Sequence, residues 1–177
     1  MKRICVSTTA MVLAMLWSAA AFAADPKETQ ALLAALPKSK LTLLEGVRQA
    51  AKGGAVVISA KFELEDGKLS LSVYTAEKGL AVEPEKNVLQ ELAGSPEGDK
   101  WAPNAEVFKD VPHVARSSEQ LTLMALGKAS LTNIIERVGK SQSGTVFSVT
   151  PVIRNHRPAA EVLVAEKGRL KRVFQPL

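Results

Sequence analysis

The sequence predicts an α+β fold made of two repeated units, each a helix packed on an antiparallel β-hairpin or small sheet. Three observations lead there. Residues 56–73 alternate apolar and polar on both sides of Asp66-Gly67, as a hairpin with a two-residue turn does. A helix-start signal precedes a β-rich stretch twice, at Thr42 and at Ser130. The tetrapeptide Ala-Glu-Lys-Gly ends both β-rich stretches, at 76–79 and at 165–168.

Composition bounds the rest. Of 177 residues, 46% are hydrophobic and 23% charged, which is the balance of a folded chain rather than a disordered, fibrous or polytopic membrane one. Two histidines and one cysteine argue against a histidine or cysteine metal cage, so no metal and no cofactor are assigned. The net charge is +5, and Lys2 and Arg3 supply two of those charges. Mild basicity with 5% aromatics argues against a nucleic-acid partner.

The chain opens as a secretory signal peptide over residues 1–23. Lys2 and Arg3 precede an uncharged run from Ile4, and Ala21 and Ala23 bracket Phe22 as a cleavage pattern. This predicts a periplasmic or secreted protein. Cys5 would leave with the leader, so the remainder carries no disulfide. No second apolar run is long enough to span a bilayer, so no transmembrane anchor is expected after cleavage.

Residues 24–38 read as an N-terminal helix, with Asp25 as cap, Pro26 at the first position, an apolar side of Leu32, Leu33 and Leu36, and a stop at Pro37. Residues 39–83 form the first unit. Thr42 and Glu45 make a capping box, Leu43, Val47 and Ala50 share one helical face, and Gly53-Gly54 ends the helix. The hairpin follows, with Leu64 opposite Leu69, Phe62 opposite Leu71 and Ala60 opposite Val73; Phe62, Leu64, Leu71 and Val73 are expected in the core. Leu80–Val82 read as a third short strand. Residues 84–128 connect the units: a short helix over 84–94, a loop or linker over 94–105 containing Trp101, and a helix from Asp110 through about Lys128. Residues 129–177 form the second unit. Ser130, Leu131, Ile135 and Val138 repeat the roles of Thr42, Leu43, Val47 and Ala50, and Gly144 ends the helix. Residues 145–153 and 159–165 pair as strands around a loose turn at 154–158, with Pro151 marking an edge or bulge.

A capped helix followed by an antiparallel hairpin, seen at Thr42–Ala51 with Val56–Val73 and again at Ser130–Val138 with Val146–Ala165, resembles the PepSY domain, here as a tandem. The resemblance covers roughly residues 40–83 and 129–174. It implies a secreted or envelope α+β protein of the kind suggested to restrain or modulate peptidases. It brings no catalytic residues.

Few residues suggest chemistry. His113 can pair with Asp110 three positions earlier, as a general base pairs with the group that orients it, but no G-x-S-x-G and no cysteine after the leader supplies a nucleophile. His156 stands in a turn, far from His113. Gly139-Lys140-Ser141 lacks the earlier glycine of a phosphate-binding loop, since position 134 is Ile134. Glu63 and Glu65 alternate onto the outer face of a strand. One charge feature remains. Arg154, His156 and Arg157 meet at a hairpin tip, and Lys167, Arg169, Lys171 and Arg172 crowd the last strand. They read either as a charged, aggregation-resistant edge or as a site for an anionic partner. The expected function is a non-enzymatic envelope binding module for protein or peptide partners, which the PepSY resemblance narrows to a peptidase modulator or inhibitor, with Arg154, His156, Arg157, Arg169 and Arg172 as partner-binding residues and no catalytic residue. The rivals are an envelope protein that binds a small or anionic ligand, and a small hydrolase using His113. An apolar cavity between helices and sheet would favour the ligand binder.

Overall fold

A computed structural model describes residues 25–177. The predicted signal peptide lies outside the described residues. Among the described residues four helices are capped as the sequence indicates: α1 (Pro26–Ala35), α2 (Leu43–Ala50), α3 (Val111–Leu126) and α4 (Leu131–Ser141). The side chains of Asp25, Thr42, Asp110 and Ser130 accept from backbone amides of the first turns. At α2 the box is reciprocal: the Glu45 amide donates to Thr42 Oγ1 at 3.2 Å and the Thr42 amide donates to Glu45 Oε2 at 2.6 Å. Those bonds favour the carboxylate and hold Glu45 below its ordinary range.

Seven strands follow the helices in two runs: β1 (Val56–Glu65), β2 (Lys68–Ala76), β3 (Leu89–Gly94) and β4 (Asn104–Val107), then β5 (Thr145–Arg154), β6 (Arg157–Glu166) and β7 (Arg169–Pro176). They form one antiparallel sheet in the order β4-β3-β2-β1-β5-β6-β7. This corrects the expectation of two repeated helix-on-hairpin units. The hairpins are fused, because β1 and β5 pair with each other at Ala60–Val149 and Lys61–Ser148. The physical reason is that a lone hairpin is marginal in water and leaves two unpaired edges. Joining the inner strands removes two edges and lets one core serve the whole sheet.

The first hairpin has the predicted register, with Ala60 opposite Val73, Phe62 opposite Leu71 and Leu64 opposite Leu69. Phe62, Leu71 and Val73 are buried, while Leu64 is partly buried and packs against the core. α2 lies on this face: a Cβ on Gly46 would come within 2.3 Å of Leu71 Cδ2. α4 lies beside α2, and Arg48 on α2 reaches Glu136 on α4 at 2.6 Å. β1 and β5 each carry a register shift, at Ile58 and at Phe147, and both bulged residues are fully buried.

Several local expectations are revised. Leu80–Val82 do not form a strand, and residues 84–94 are not a helix: a single turn at Pro84–Lys86 leads into β3. The open edge of β2 captures Leu89–Gly94 as a ladder neighbour, which overrides the helix signal of Pro84 and Gly94. Of the loop or linker expected over 94–105, residues 95–103 are a loop, and it joins β3 to β4 within the sheet. Trp101 is buried there; its indole nitrogen donates to the Gly94 carbonyl at 3.2 Å, and Gln49 on α2 donates to the Trp101 carbonyl at 2.7 Å. β5 is interior, not an edge. Pro151 is tolerated because the pairing of β5 with β1 is confined to Ser148 and Val149. The turn between β5 and β6 is tight, not loose: Arg154 pairs with Arg157, and Asn155 and His156 adopt φ of 50° and 59°. Those positive values match the mirror-image turns that suit twisted hairpins.

Candidate functional site

The strand ladder decides which of the predicted partner-binding residues can act together. Arg154, His156 and Arg157 sit at the β5–β6 tip and are exposed. Arg169 begins β7 opposite Glu166, at the far end of β6. Ten residues of β6 place Arg157 and Arg169 roughly 30 Å apart. Arg172 lies between them, and its Nε donates to Glu161 Oε1 at 2.7 Å. Lys171 approaches Glu166 at 3.6 Å. So the basic stretch of sequence is divided: two of its cations are offset by carboxylates of β6, and only Arg154, His156 and Arg157 remain together.

That tip has a feature the sequence reading missed. The Arg154 guanidinium lies 3.7 Å from the centroid of the Phe174 ring on β7. An arginine over an aromatic face gains about 0.5–1 kcal/mol at an exposed site, and the stack fixes a long side chain that would otherwise wander. The clue in sequence was the alternation over 169–176, which places Phe174 and Arg172 on one face of a strand. Among the described residues β7 is also a sheet edge, paired only with β6. α1 touches β7, and Leu170 and Val173 are half-buried against the core. The result is a strand edge with an ordered arginine, a second arginine and an aromatic ring at one end. It can accept an extended chain by main-chain pairing and can bind carboxylates through the arginines.

The second candidate is His113. Its Nδ1 lies 2.8 Å from Asp110, and its backbone amide donates to Asp110 Oδ1 at 3.1 Å. These bonds hold the Asp110 carboxyl below its usual range. The ring stacks on Phe108 at 5.1 Å, and Phe108 stacks on Tyr74 at 5.9 Å. Tyr74 is half-buried on β2, and its phenol is pushed well above its ordinary ionisation range, first by burial and then by Glu91 and Glu63. Lys61 lies 5.8 Å from the Tyr74 ring and pairs with Glu63. The Asp110–His113 pair thus exists as the spacing suggested, and its partners bind it to the start of α3. The aromatic stack ties that helix end to the sheet.

Among the described residues, no three His, Cys, Asp or Glu side chains gather to hold a metal ion, and no helix is long and apolar enough to cross a membrane. No known protein family matches the chain, and neither a curated protein nor a solved structure matches it.

Proposed function

We propose that the chain is a non-enzymatic binding module of the cell envelope that takes an extended acidic peptide segment along the Phe174 end of β7. The observation that carries this reading is the stack of Arg154, beside Arg157 at the β5–β6 tip, on Phe174 of the edge strand β7. The free backbone edge would hydrogen-bond the segment as an added strand, and the two arginines would select its carboxylates. The envelope location rests on the leader-like residues Lys2 to Ala23. The peptidase-directed form of the reading rests on the PepSY resemblance alone.

The test is fluorescence anisotropy of a labelled peptide that alternates Glu with β-branched residues, against the wild type and R154E/R157E. The wild type should bind it, and more tightly at about 20 mM than at about 200 mM salt, because the Debye length shortens as salt rises. The double variant should lose most of this binding and most of its salt dependence. Its stability should change little, since exposed charges contribute about 0–1 kcal/mol. Equal affinity of the two proteins at both salt concentrations would refute the proposal.

A further inference from the structure

A separate site lies where the two helical pairs meet the sheet. The C-terminal end of α2, the start of β1, the end of α3 and the start of α4 line an open cleft of about 340 Å³. Its walls are apolar: Val56, Val57, Leu80, Met124 and Leu131, with Ala51, Ala55 and Ala129 between them. Its rim is polar, and among the described residues Lys128 is the one charged residue that lines it. Lys128 forms no ion pair among the described residues. Leu80, at the cleft, is 39% exposed, so an apolar wall faces solvent. The positive end of the α4 dipole lies at the same rim, with the same sign as Lys128.

We infer that this cleft binds a small aliphatic carboxylate, with the chain against Ala55, Val56 and Leu80, Met124 at its base and the carboxylate at Lys128. Size sets the class. At about 340 Å³ and open on one side, the cleft stands at the small end of ligand pockets, which suits a short chain such as an eight-carbon carboxylate. Charge sets the headgroup: an unpaired lysine beside an apolar wall favours an anion over an alcohol or an amine of the same length. The cleft shares no residue with the β7 edge, so this inference stands or falls independently of the peptide-binding proposal.

Met124 is the only methionine in residues 25–177, so its ¹³C-labelled methyl reports on the cleft with one signal in that region. The experiment titrates octanoate, octan-1-ol and octylamine into the protein and follows that signal. Octanoate should shift it saturably, octan-1-ol more weakly and octylamine least. K128Q should weaken octanoate about fivefold, a surface ion pair's worth, and leave octan-1-ol unchanged. A55F should fill the cleft and abolish the shift by all three. No shift with octanoate up to about 10 mM would overturn the inference, as would octan-1-ol binding as tightly as octanoate to the wild type. If A55F fails to fold, the K128Q comparison decides alone: an unchanged preference for octanoate over octan-1-ol would also overturn it.

Discussion

Gly46 should be the most informative single position in the fold. It lies inside α2, where alanine is ordinarily favoured over glycine by about 0.8–1.0 kcal/mol. Its φ is not in the left-handed region, so the backbone does not demand glycine. What demands it is the approach of α2 to the sheet. A Cβ there would stand 2.3 Å from Leu71 Cδ2, with Leu71 Cγ at 3.5 Å and Leu41 Cδ1 at 3.6 Å. Leu71 has no exposed surface, so its methyl cannot swing into solvent. Either Leu71 leaves its rotamer or α2 lifts from β2, and overpacking of this kind costs about 1–3 kcal/mol. With the helix-propensity gain subtracted, Gly46→Ala should destabilise by up to about 2 kcal/mol. For a chain of this length that is a loss of up to about 8 °C in Tm.

The control is Leu71→Ala, which removes the clashing methyls at its own cost of about 2–5 kcal/mol. In that background Gly46→Ala should become neutral or stabilising by up to about 1 kcal/mol, because only the propensity gain remains. Urea denaturation of the four proteins gives the coupling between the two sites, expected at about 1–3 kcal/mol. If Gly46→Ala stabilises the protein while Leu71 is present, α2 does not approach β2 as described. The reasoning about why the helix carries a glycine on its buried side then fails.

Two further outcomes follow from the polar contacts. The phenol of Tyr74 has a raised folded-state pKa, so its contribution is complete below the ordinary tyrosine range and is lost as pH rises past about 10. Tyr74→Phe should therefore lose less stability between about pH 8 and pH 11 than the wild type does, measured by urea denaturation at each pH; parallel losses would remove Tyr74 as the cause. Asn87 ties the connection between β2 and β3. Its Oδ1 accepts from the amides of Lys78 at 3.0 Å and Val88 at 2.9 Å, and its Nδ2 donates to the carbonyls of Gly79 at 2.9 Å and Val82 at 3.2 Å. Asn87→Ala should cost about 1–3 kcal/mol and speed hydrogen exchange at Lys78 and Val88, whereas unchanged exchange would mean that other contacts hold the loop.

The first hairpin was legible because two independent signals coincide on it: Asp66-Gly67 fixes the turn, and the alternation of Phe62, Leu64, Leu69 and Leu71 fixes the register. The caps of the helices were legible for the same reason, since Asp25, Thr42, Asp110 and Ser130 each precede an apolar period. β3 was not legible. Leu89–Gly94 lies between a proline and a glycine that frame helices equally well, and only the unpaired edge of β2 decides the matter. The fusion of the halves was hidden too, because the β1–β5 contact joins residues such as Ala60 and Val149 through two register pairs and no turn. At the candidate site, neighbours in sequence misled. Arg169 and Arg172 stand close to Arg157 along the chain, yet β6 carries Arg169 to the other end of the ladder and Glu161 claims Arg172.

The surviving arginines leave two physical roles to separate, and the sign of the charge separates them. Charged residues guard an exposed strand edge because burying any of them against a second chain is costly, and glutamate serves that purpose as well as arginine. If Arg154 and Arg157 only protect the β7 side of the sheet, R154E/R157E should remain as soluble and as monomeric as the wild type, and it should gain nothing new. If they select a partner, reversing them should reverse the preference. The double variant would then bind a lysine-alternating peptide that the wild type ignores, still along the free backbone edge of β7. The stack over Phe174 sharpens the comparison. Arg154→Lys keeps the charge but loses the flat guanidinium and its bidentate donors, so edge protection would be intact while recognition of carboxylates weakens by about two- to fivefold, the scale of one exposed cation–π contact. Equal peptide affinity for Arg154→Lys and the wild type would show that the ring holds the arginine for packing alone.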